Sequence, residues 1–189
     1  GPRVSPDGKR IAFFSERDVF SVDLYIADAE SGRIERRLTR AAADPHFDSL
    51  QFLNSAWAWS PDGRTFAVLA SRGGRPVVAL LRVAPGGQSR EIRLEALDDA
   101  LNPAFSPDGN FLYLSGNAGG VIDLYRLSLA TGELDQLTAD AWADLEQAAT
   151  PDGRGLVFTT ERFSTSLESL EPGAPRLAHL DFETGVVRP

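Results

Sequence analysis

The feature that most constrains this chain is a tetrapeptide that recurs four times. Ser-Pro-Asp-Gly stands at 5–8, 60–63 and 106–109, and Thr-Pro-Asp-Gly stands at 150–153. The glycines of successive copies are 55, 46 and 44 residues apart. A repeat of this length indicates that one supersecondary unit is copied along the chain. We interpret the repeated residues as structural turns: Ser5, Pro6, Asp7, Gly8, Ser60, Pro61, Asp62, Gly63, Ser106, Pro107, Asp108, Gly109, Thr150, Pro151, Asp152 and Gly153.

A second glycine turn follows each tetrapeptide in phase. It falls at Gly32, at Gly86 or Gly87, at Gly132 and at Gly185, as in "ESGRI" and "ATGEL". In the first three units it comes 23 or 24 residues after the first glycine, and in the last unit 32 residues after it. Two landmarks that recur in register predict a long repeat far more strongly than one tetrapeptide does.

The local chemistry of the tetrapeptide predicts a hairpin between two strands. The serine can bond the turn backbone, proline presets the second position of a type I turn, and glycine accepts the left-handed conformation. Short apolar runs such as "AWAWS" precede the turn, and alternating runs such as "TFAVLAS" and "FLYLSG" follow it. No segment of helical length has a 3.6-residue period. The sequence therefore predicts an all-β chain with four antiparallel strands in each unit.

Four-stranded sheets repeated at about 45 residues predict a β-propeller, because each sheet must bury its faces against its neighbours. A linear solenoid is the structural alternative. We expect one propeller domain over 1–189, with four blades that could belong to a larger ring. The approximate blade limits are 3–40, 55–96, 102–140 and 146–189.

The units also resemble a known group. "SAWAWSPDGRTFAVLAS" and "NPAFSPDGNFLYLSG…IDLYRLSLATGELDQLT" resemble the TolB-like propeller repeats, a WD-repeat-like family. The resemblance implies a repeat protein of the bacterial envelope, periplasmic or otherwise exported, from a longer chain that can also carry a peptidase domain or an outer-membrane barrel. This chain departs from the pattern in two ways. It has four blades where such rings usually have six or more, and it has an insertion at 161–175.

Composition limits the classes of partner. The formal charge of −8 disfavours nucleic acid as a partner, because a phosphate-binding surface needs positive charge. No apolar run approaches the length of a membrane span, so we expect no direct membrane insertion. With no cysteine, the chain has neither disulfides nor thiolate metal ligands. We expect no cofactor.

Candidate contact residues concentrate in the loops between blades, which are expected to share one face of the sheets. An acidic, aromatic-flanked mouth there could accept a basic peptide strand or Ca²⁺, although no spacing matches a calcium loop and we assign no metal site. The alternative is a purely structural role, in which these aspartates cap turns. Asp23 and Asp123, at the start of their strands, could simply tie down a loop. The partner-binding candidates are Asp44, His46, Phe47, Asp48, Asp98, Asp99, Trp142, Asp144 and Glu146.

Catalytic motifs are absent from the sequence. The two histidines, His46 and His179, are far apart, and there is no nucleophile elbow or zinc-helix motif. Trp57 and Trp59 are expected to pack in the hydrophobic core, on opposite sides of one strand.

We therefore expect no enzyme, but a scaffold that binds proteins or peptides in the cell envelope. The alternatives are an accessory propeller of a multidomain peptidase and a propeller that binds small molecules or glycans. A homodimer that completes an eight-bladed ring is a further expectation.

Overall fold

The structure is a computed structural model that describes residues 2–17, 22–39, 49–50, 57–166, 168–169, 171 and 173–189. In these residues the regular secondary structure consists of strands. None of the described segments forms a helix that is long and apolar enough to span a membrane. The chain divides into two compact units, Gly1–Arg93 and Leu94–Pro189, and each unit contains two antiparallel sheets.

The first unit contains blades 1 and 2. In blade 1 the strand order is β1-β2-β3-β4. In blade 2 it is β5-β7-β8-β9, and β6 also pairs with β7, so that the innermost strand position is shared by β5 and β6. The strands are β1 Arg3–Val4, β2 Arg10–Ser15, β3 Asp23–Asp28, β4 Ile34–Arg37, β5 Ser49–Leu50, β6 Trp57–Trp59, β7 Thr65–Arg72, β8 Arg75–Arg82 and β9 Arg90–Arg93.

The second unit contains blades 3 and 4, in the orders β10-β11-β12-β13 and β14-β15-β16-β17. All of these pairs are antiparallel. The strands are β10 Asp99–Phe105, β11 Phe111–Ala118, β12 Val121–Ser128, β13 Leu134–Gln136, β14 Asp144–Ala149, β15 Gly155–Thr160, β16 Arg176–Asp181 and β17 Val187–Arg188. The all-β prediction is confirmed, and the four sheets are the blades expected of a β-propeller.

The four tetrapeptide turns have the same hydrogen bonds. In blade 2, the Ser60 hydroxyl donates to the Asp62 carboxylate at 2.5 Å and accepts the backbone N–H of Thr65 at 2.9 Å. The N–H of Gly63 donates to the carbonyl of Ser60, and Gly63 has a φ of 64°, in the left-handed region. Because a side chain resists that conformation, glycine is required to close the turn.

Both kinds of turn lie at one end of each sheet. The tetrapeptide joins the first and second strands, and the second glycine turn joins the third and fourth strands. We call this the turn end. The hairpin between the second and third strands and the connections between blades lie at the opposite end, which we call the loop end. This arrangement follows from the antiparallel order of the four strands.

Aromatic side chains form much of the core between blades 1 and 2. Trp57 is 2% exposed, and its ring lies 4.8 Å from that of Phe14 and 5.2 Å from that of Phe66. Trp59 also packs against Phe66, at 5.0 Å, and its indole N–H donates to the carbonyl of Arg3. The expected core role is confirmed for Trp57, whereas Trp59 is half-buried. The expectation of opposite faces is wrong, because residues two apart in a strand share a face.

Blades 3 and 4 share an apolar core on one face of blade 4. Leu156, Phe158 and Leu180 pack there with Tyr113 and Leu124 of blade 3. The alternate positions of the same strands are much more exposed: Val157 is 37% and Leu177 is 66% exposed. Blade 4 therefore has one covered and one uncovered face, as the two-residue period of a strand dictates.

Candidate functional site

The loop end of blades 3 and 4 brings three carboxylates together. Asp123 opens the third strand of blade 3, Asp140 lies between the two blades, and Asp144 opens the first strand of blade 4. Each offers an oxygen atom within 4.8 Å of the others. We call these three residues, with Arg162, the carboxylate cluster.

Asp123 is a buried acceptor that ties the fourth strand of blade 3 to the third. Its Oδ1 accepts the hydroxyl proton of Thr138 at 3.3 Å, and its Oδ2 accepts the side-chain N–H of Gln136 at 3.0 Å. The Thr138 hydroxyl oxygen in turn accepts the backbone N–H of Leu124 at 2.9 Å. The pair satisfies polar groups that would otherwise be buried without partners, which stabilises the end of the blade.

Blade 1 repeats this arrangement. The Asp23 carboxylate accepts from the Thr39 hydroxyl at 3.0 Å, and the Thr39 oxygen accepts the backbone N–H of Leu24 at 2.9 Å. Arg37 takes the place of the glutamine, with its Nη2 2.5 Å from the carboxylate. The corresponding positions of blades 2 and 4 hold Val77 and Arg176, each paired with the same position of the second strand. These contacts agree with the structural interpretation of Asp23 and Asp123, which tie down the end of a blade.

Arg162 supplies the positive charge of the carboxylate cluster. It comes from the insertion at 161–175, which connects β15 and β16. Its Nη2 lies 2.7 Å and 2.6 Å from the two oxygens of Asp144, and its Nη1 lies 2.9 Å from Asp140. Its guanidinium carbon lies 5.7 Å above the ring of Phe158. Asp144 is fully buried, so the arginine neutralises a charge that has no access to water.

Burial raises the pKa of the Asp123 carboxyl, and the negative charge of Asp140 acts in the same direction. The hydrogen bonds from the backbone of Asp140, from Gln136 and from Thr138 oppose this shift. Desolvation of the charged form is the dominant cause. The cluster therefore combines a carboxyl with an increased affinity for protons and two carboxylates that share one arginine.

The three carboxylates are of the ligand type that a hard cation binds, because carboxylate oxygens are the preferred ligands of Ca²⁺ and Mg²⁺. In the described part of the chain, however, the guanidinium of Arg162 already pairs with Asp140 and Asp144. The Asp123 carboxylate accepts hydrogen bonds from three donors. The geometry is that of a salt-bridged polar network.

The other candidates from the sequence that the structure describes lie in the loops and strands of blades 3 and 4, with different roles. Asp98 is exposed, and its carboxylate accepts the N–H of Gly119 at 2.9 Å in the β11–β12 hairpin. Asp99 accepts the N–H of Ala100 at 2.8 Å. Trp142 is half-buried in the connection between β13 and β14, and its backbone N–H donates to the Asp140 carboxylate at 2.9 Å.

Glu146 is exposed and lies in a bulge of β14, where its φ is 55°. Asn102 occupies the same place in β10, with a φ of 53°. Such bulges re-aim the neighbouring side chains of a strand. The candidates Asp44, His46, Phe47 and Asp48, together with the flanking Phe52, lie outside the described residues.

Sequence reasoning missed three polar residues of this region. Thr138 carried a signal, since "LT" follows "DLY" in register in blades 1 and 3. Arg162 carried none, because its partners are 18 or more positions away. Gln147 is buried and bonds blade 3 at both ends of its amide: it accepts from the Ser115 hydroxyl at 2.7 Å and donates to the carbonyl of Asn102.

Comparison with known proteins gives a family. The family described as TolB beta propeller domain matches residues 49–167 of this chain, which is more than half of its length.

Two curated bacterial relatives match most of the chain. An uncharacterized peptidase, YuxL, of Bacillus subtilis is 29% identical over 170 residues, which make up 87% of this chain and 22% of the relative. A TolB homolog of Chlorobium chlorochromatii is 27% identical over 155 residues, or 82% of this chain and 32% of the relative. The chain thus spans less than a third of either protein.

The solved structures agree on the fold. The crystal structure of TolB from Acinetobacter baumannii superposes with a TM-score of 0.73 and 23% sequence identity. That superposition covers 100% of this chain and 42% of the TolB chain. At this level of identity the similarity establishes the architecture of the blades.

Proposed function

The chain belongs to the TolB beta propeller domain family, and we propose that within it the chain acts as a non-catalytic module that binds a protein or peptide at its loop end. Blades of this family are rigid scaffolds, and function on such scaffolds resides in the loops. The observation that carries the proposal is the position of Trp142, a half-buried aromatic residue of the loop end whose backbone N–H bonds the Asp140 carboxylate. Tryptophan is one of the residues most often found as an anchor of protein interfaces.

The framework beneath this surface supports a binding role. Thr138 and Arg162 hold Asp123 and Asp144 inside the blades, so these polar groups need no ligand to be satisfied. Asp98 and Asp140 remain accessible at the loop end, and the Asp140 side chain is 34% exposed. A rigid base with accessible carboxylates and one aromatic side chain suits a basic peptide strand, which would also be attracted by the net charge of −8.

A catalytic role has little support in the described residues. His179 is the one histidine among them, and it lies in β16 opposite Val157 and Arg188. The carboxylates of the cluster are paired within the protein. A general base instead needs an accessible atom within hydrogen-bond reach of the substrate proton that it removes. These features favour an accessory, non-enzymatic module. On the resemblance to TolB repeats, we also propose that the chain is exported to the periplasm. We further propose that residues 1–189 form one propeller domain.

The proposal is tested with a fluorescein-labelled basic peptide of alternating lysine and leucine. Fluorescence anisotropy on the 189-residue chain should show saturable binding that weakens as salt is added. Trp142→Ala should weaken it about tenfold, since a hot-spot aromatic contributes roughly 1–2 kcal/mol. Val186→Ala is the control, because Val186 is an exposed aliphatic residue at the turn end. Equal affinity in the two variants, or no binding by the unmodified chain, would contradict the proposal.

A second candidate function has one specific observation in its favour. The relative from Bacillus subtilis is named as a peptidase, and this chain matches 22% of it. On that alternative, these blades are an accessory part of a hydrolase whose catalytic residues lie elsewhere in a longer protein. A longer protein that contains this chain should then hydrolyse a chromogenic peptide amide, whereas the 189-residue chain should not. Hydrolysis by the 189-residue chain itself would contradict both candidate functions.

A further inference from the structure

A second surface lies at the turn end of the first unit, between blades 1 and 2. It is a groove of about 400 Å³. Blade 1 contributes side chains of β3 and β4 and the start of β2, and blade 2 contributes both of its turns. Within blades 1 and 2 themselves, this is the end of the sheets opposite to their own loop end.

The charge of this groove is opposite to that of the chain. Four arginines line it, and Glu35 is the one acidic residue among the lining residues. The chain as a whole has a formal charge of −8. Positive charge concentrated in a concave surface attracts anions, even on a molecule of negative net charge. The arginines are Arg10, Arg36, Arg64 and Arg82.

Two of the arginines are held by protein groups, and two are available. Arg10 donates from Nε to the Glu35 carboxylate at 2.9 Å, and Arg36 donates from Nη1 to the carbonyl of Val83 at 2.9 Å. Arg64 and Arg82 are exposed, and neither has an ion-pair partner among the residues that the structure describes. The positive charges of Arg64 and Arg82 both lower the pKa of Asp62, but the Asp62 carboxylate is hydrogen-bonded to the Ser60 hydroxyl.

The remaining lining of the groove is apolar. Ile26 and Val83 are almost fully buried, at 1% and 8% exposure, so the accessible apolar surface comes from Ala84 and Pro85, which are exposed. The hydrogen bond from Arg36 to Val83 fixes the two blades on either side of this surface. An anion without an apolar part would leave Ala84 and Pro85 uncovered.

We propose that this groove binds an acidic peptide segment, with carboxylates on Arg64 and Arg82 and an apolar side chain against Ala84 and Pro85. Arginine pairs with carboxylates through parallel N–H donors, which gives both affinity and orientation. The volume is at the lower end of the range for binding pockets and has room for a few side chains of a peptide. This site lies in the first unit and the loop-end residues Asp140 and Trp142 lie in the second, so the two proposals can be tested separately.

A fluorescein-labelled acidic peptide of alternating glutamate and leucine tests this proposal on the 189-residue chain. Fluorescence anisotropy should show binding that weakens with added salt. The double variant Arg64→Gln/Arg82→Gln should bind about tenfold more weakly, since each exposed pair contributes only a few-fold. Arg154→Gln is the matched control, because Arg154 follows the turn glycine of blade 4 as Arg64 follows that of blade 2. The control should bind as the unmodified chain does.

Three outcomes would overturn the proposal: no binding of the acidic peptide, equal binding by the double variant, and full displacement by inorganic sulfate at matched ionic strength. A peptide with serine in place of leucine should bind more weakly, and equal binding would remove the apolar contact from the proposal. The basic peptide separates the two sites. If it still binds while the acidic peptide does not, the groove proposal fails and the loop-end proposal stands.

Discussion

At the scale of single residues, the four tetrapeptide turns couple stability to pH. The hydroxyl of Ser60 lowers the pKa of the Asp62 carboxyl, the backbone N–H of Arg64 lowers it further, and Arg64 and Arg82 contribute to the same direction. Asp7, Asp108 and Asp152 have lowered pKa values for the same first reason, a hydroxyl bond from Ser5, Ser106 or Thr150. The repeated turn is thus a repeated electrostatic unit.

The sign of the effect follows from linkage. A carboxyl whose pKa is lower in the folded state adds stability above its unfolded pKa of about 3.9, and this contribution is lost as the pH falls through the folded value. We expect the free energy of unfolding, measured by urea titration, to decrease as the pH falls below about 4. The raised pKa of Asp123 acts on the pH dependence in the opposite direction. We expect the four turn carboxyls together to have the larger effect on the free energy of unfolding, since Asp123 is a single group.

Ser60→Ala tests this coupling. The variant loses the hydroxyl that lowers the pKa of Asp62 and the acceptor for the N–H of Thr65, so it should be less stable at pH 7 by about 1 kcal/mol. The difference from the unmodified chain should shrink as the pH falls through the lowered pKa of Asp62, because the carboxyl then becomes protonated in both. Ser89→Ala, at an exposed position outside the turns, is the control. A difference that stays constant from pH 7 to pH 2 would contradict the linkage.

At the scale of elements, the insertion at 161–175 is attached to the body of blade 4 by Arg162. The arginine side chain is 12% exposed and its partner Asp144 is fully buried. Removal of one member of such a pair leaves a buried charge without compensation. The stability of this loop and that of the first strand of blade 4 are therefore linked.

Arg162→Met should lower the free energy of unfolding by about 3 kcal/mol in urea titration. Asp144→Asn in addition should restore a large part of the loss, because the buried charge is then absent. Arg126→Met provides the comparison: its pair with Asp135 is exposed on both sides, so the cost should be below about 1 kcal/mol. Equal costs for the two arginine variants would show that burial of Asp144 does not matter.

The sequence predicted the elements well because their signals are local. Ser60, Pro61 and Gly63 specify a turn by their own conformational preferences, and the apolar runs on either side specify strands. The carboxylate cluster and the groove could not be predicted in this way. Arg162 meets Asp144 only after the blade has formed, and Arg36 and Arg64 come from different blades. Charges that act together across a fold leave no pattern in a linear sequence.

At the scale of the whole molecule, the uncovered face of blade 4 predicts self-association. Val157 and Leu177 are exposed on the face opposite to the core that blade 4 shares with blade 3. Apolar sheet faces of this kind are usually covered in propellers by a neighbouring blade. We propose that a second copy of the chain covers it.

Light scattering on a sizing column should then give a mass near twice 20.4 kDa at high protein concentration. Leu177→Lys should shift the mass toward that of the monomer, because it places a charge in the apolar contact. Val121→Lys, at an exposed valine of the β11–β12 hairpin, should leave the mass unchanged. A monomer at every concentration would contradict this prediction and leave the peptide-binding proposals unaffected.

We propose that a partner binds at the loop end of blades 3 and 4. Hydrogen–deuterium exchange of the 189-residue chain, with and without the lysine–leucine peptide, can locate this contact along the backbone. We predict slower exchange in the connection around Asp140 and Trp142 and in the β11–β12 hairpin, with no change in the tetrapeptide turns. Protection confined to the turn end, or no protection anywhere in the presence of saturating peptide, would contradict the claim.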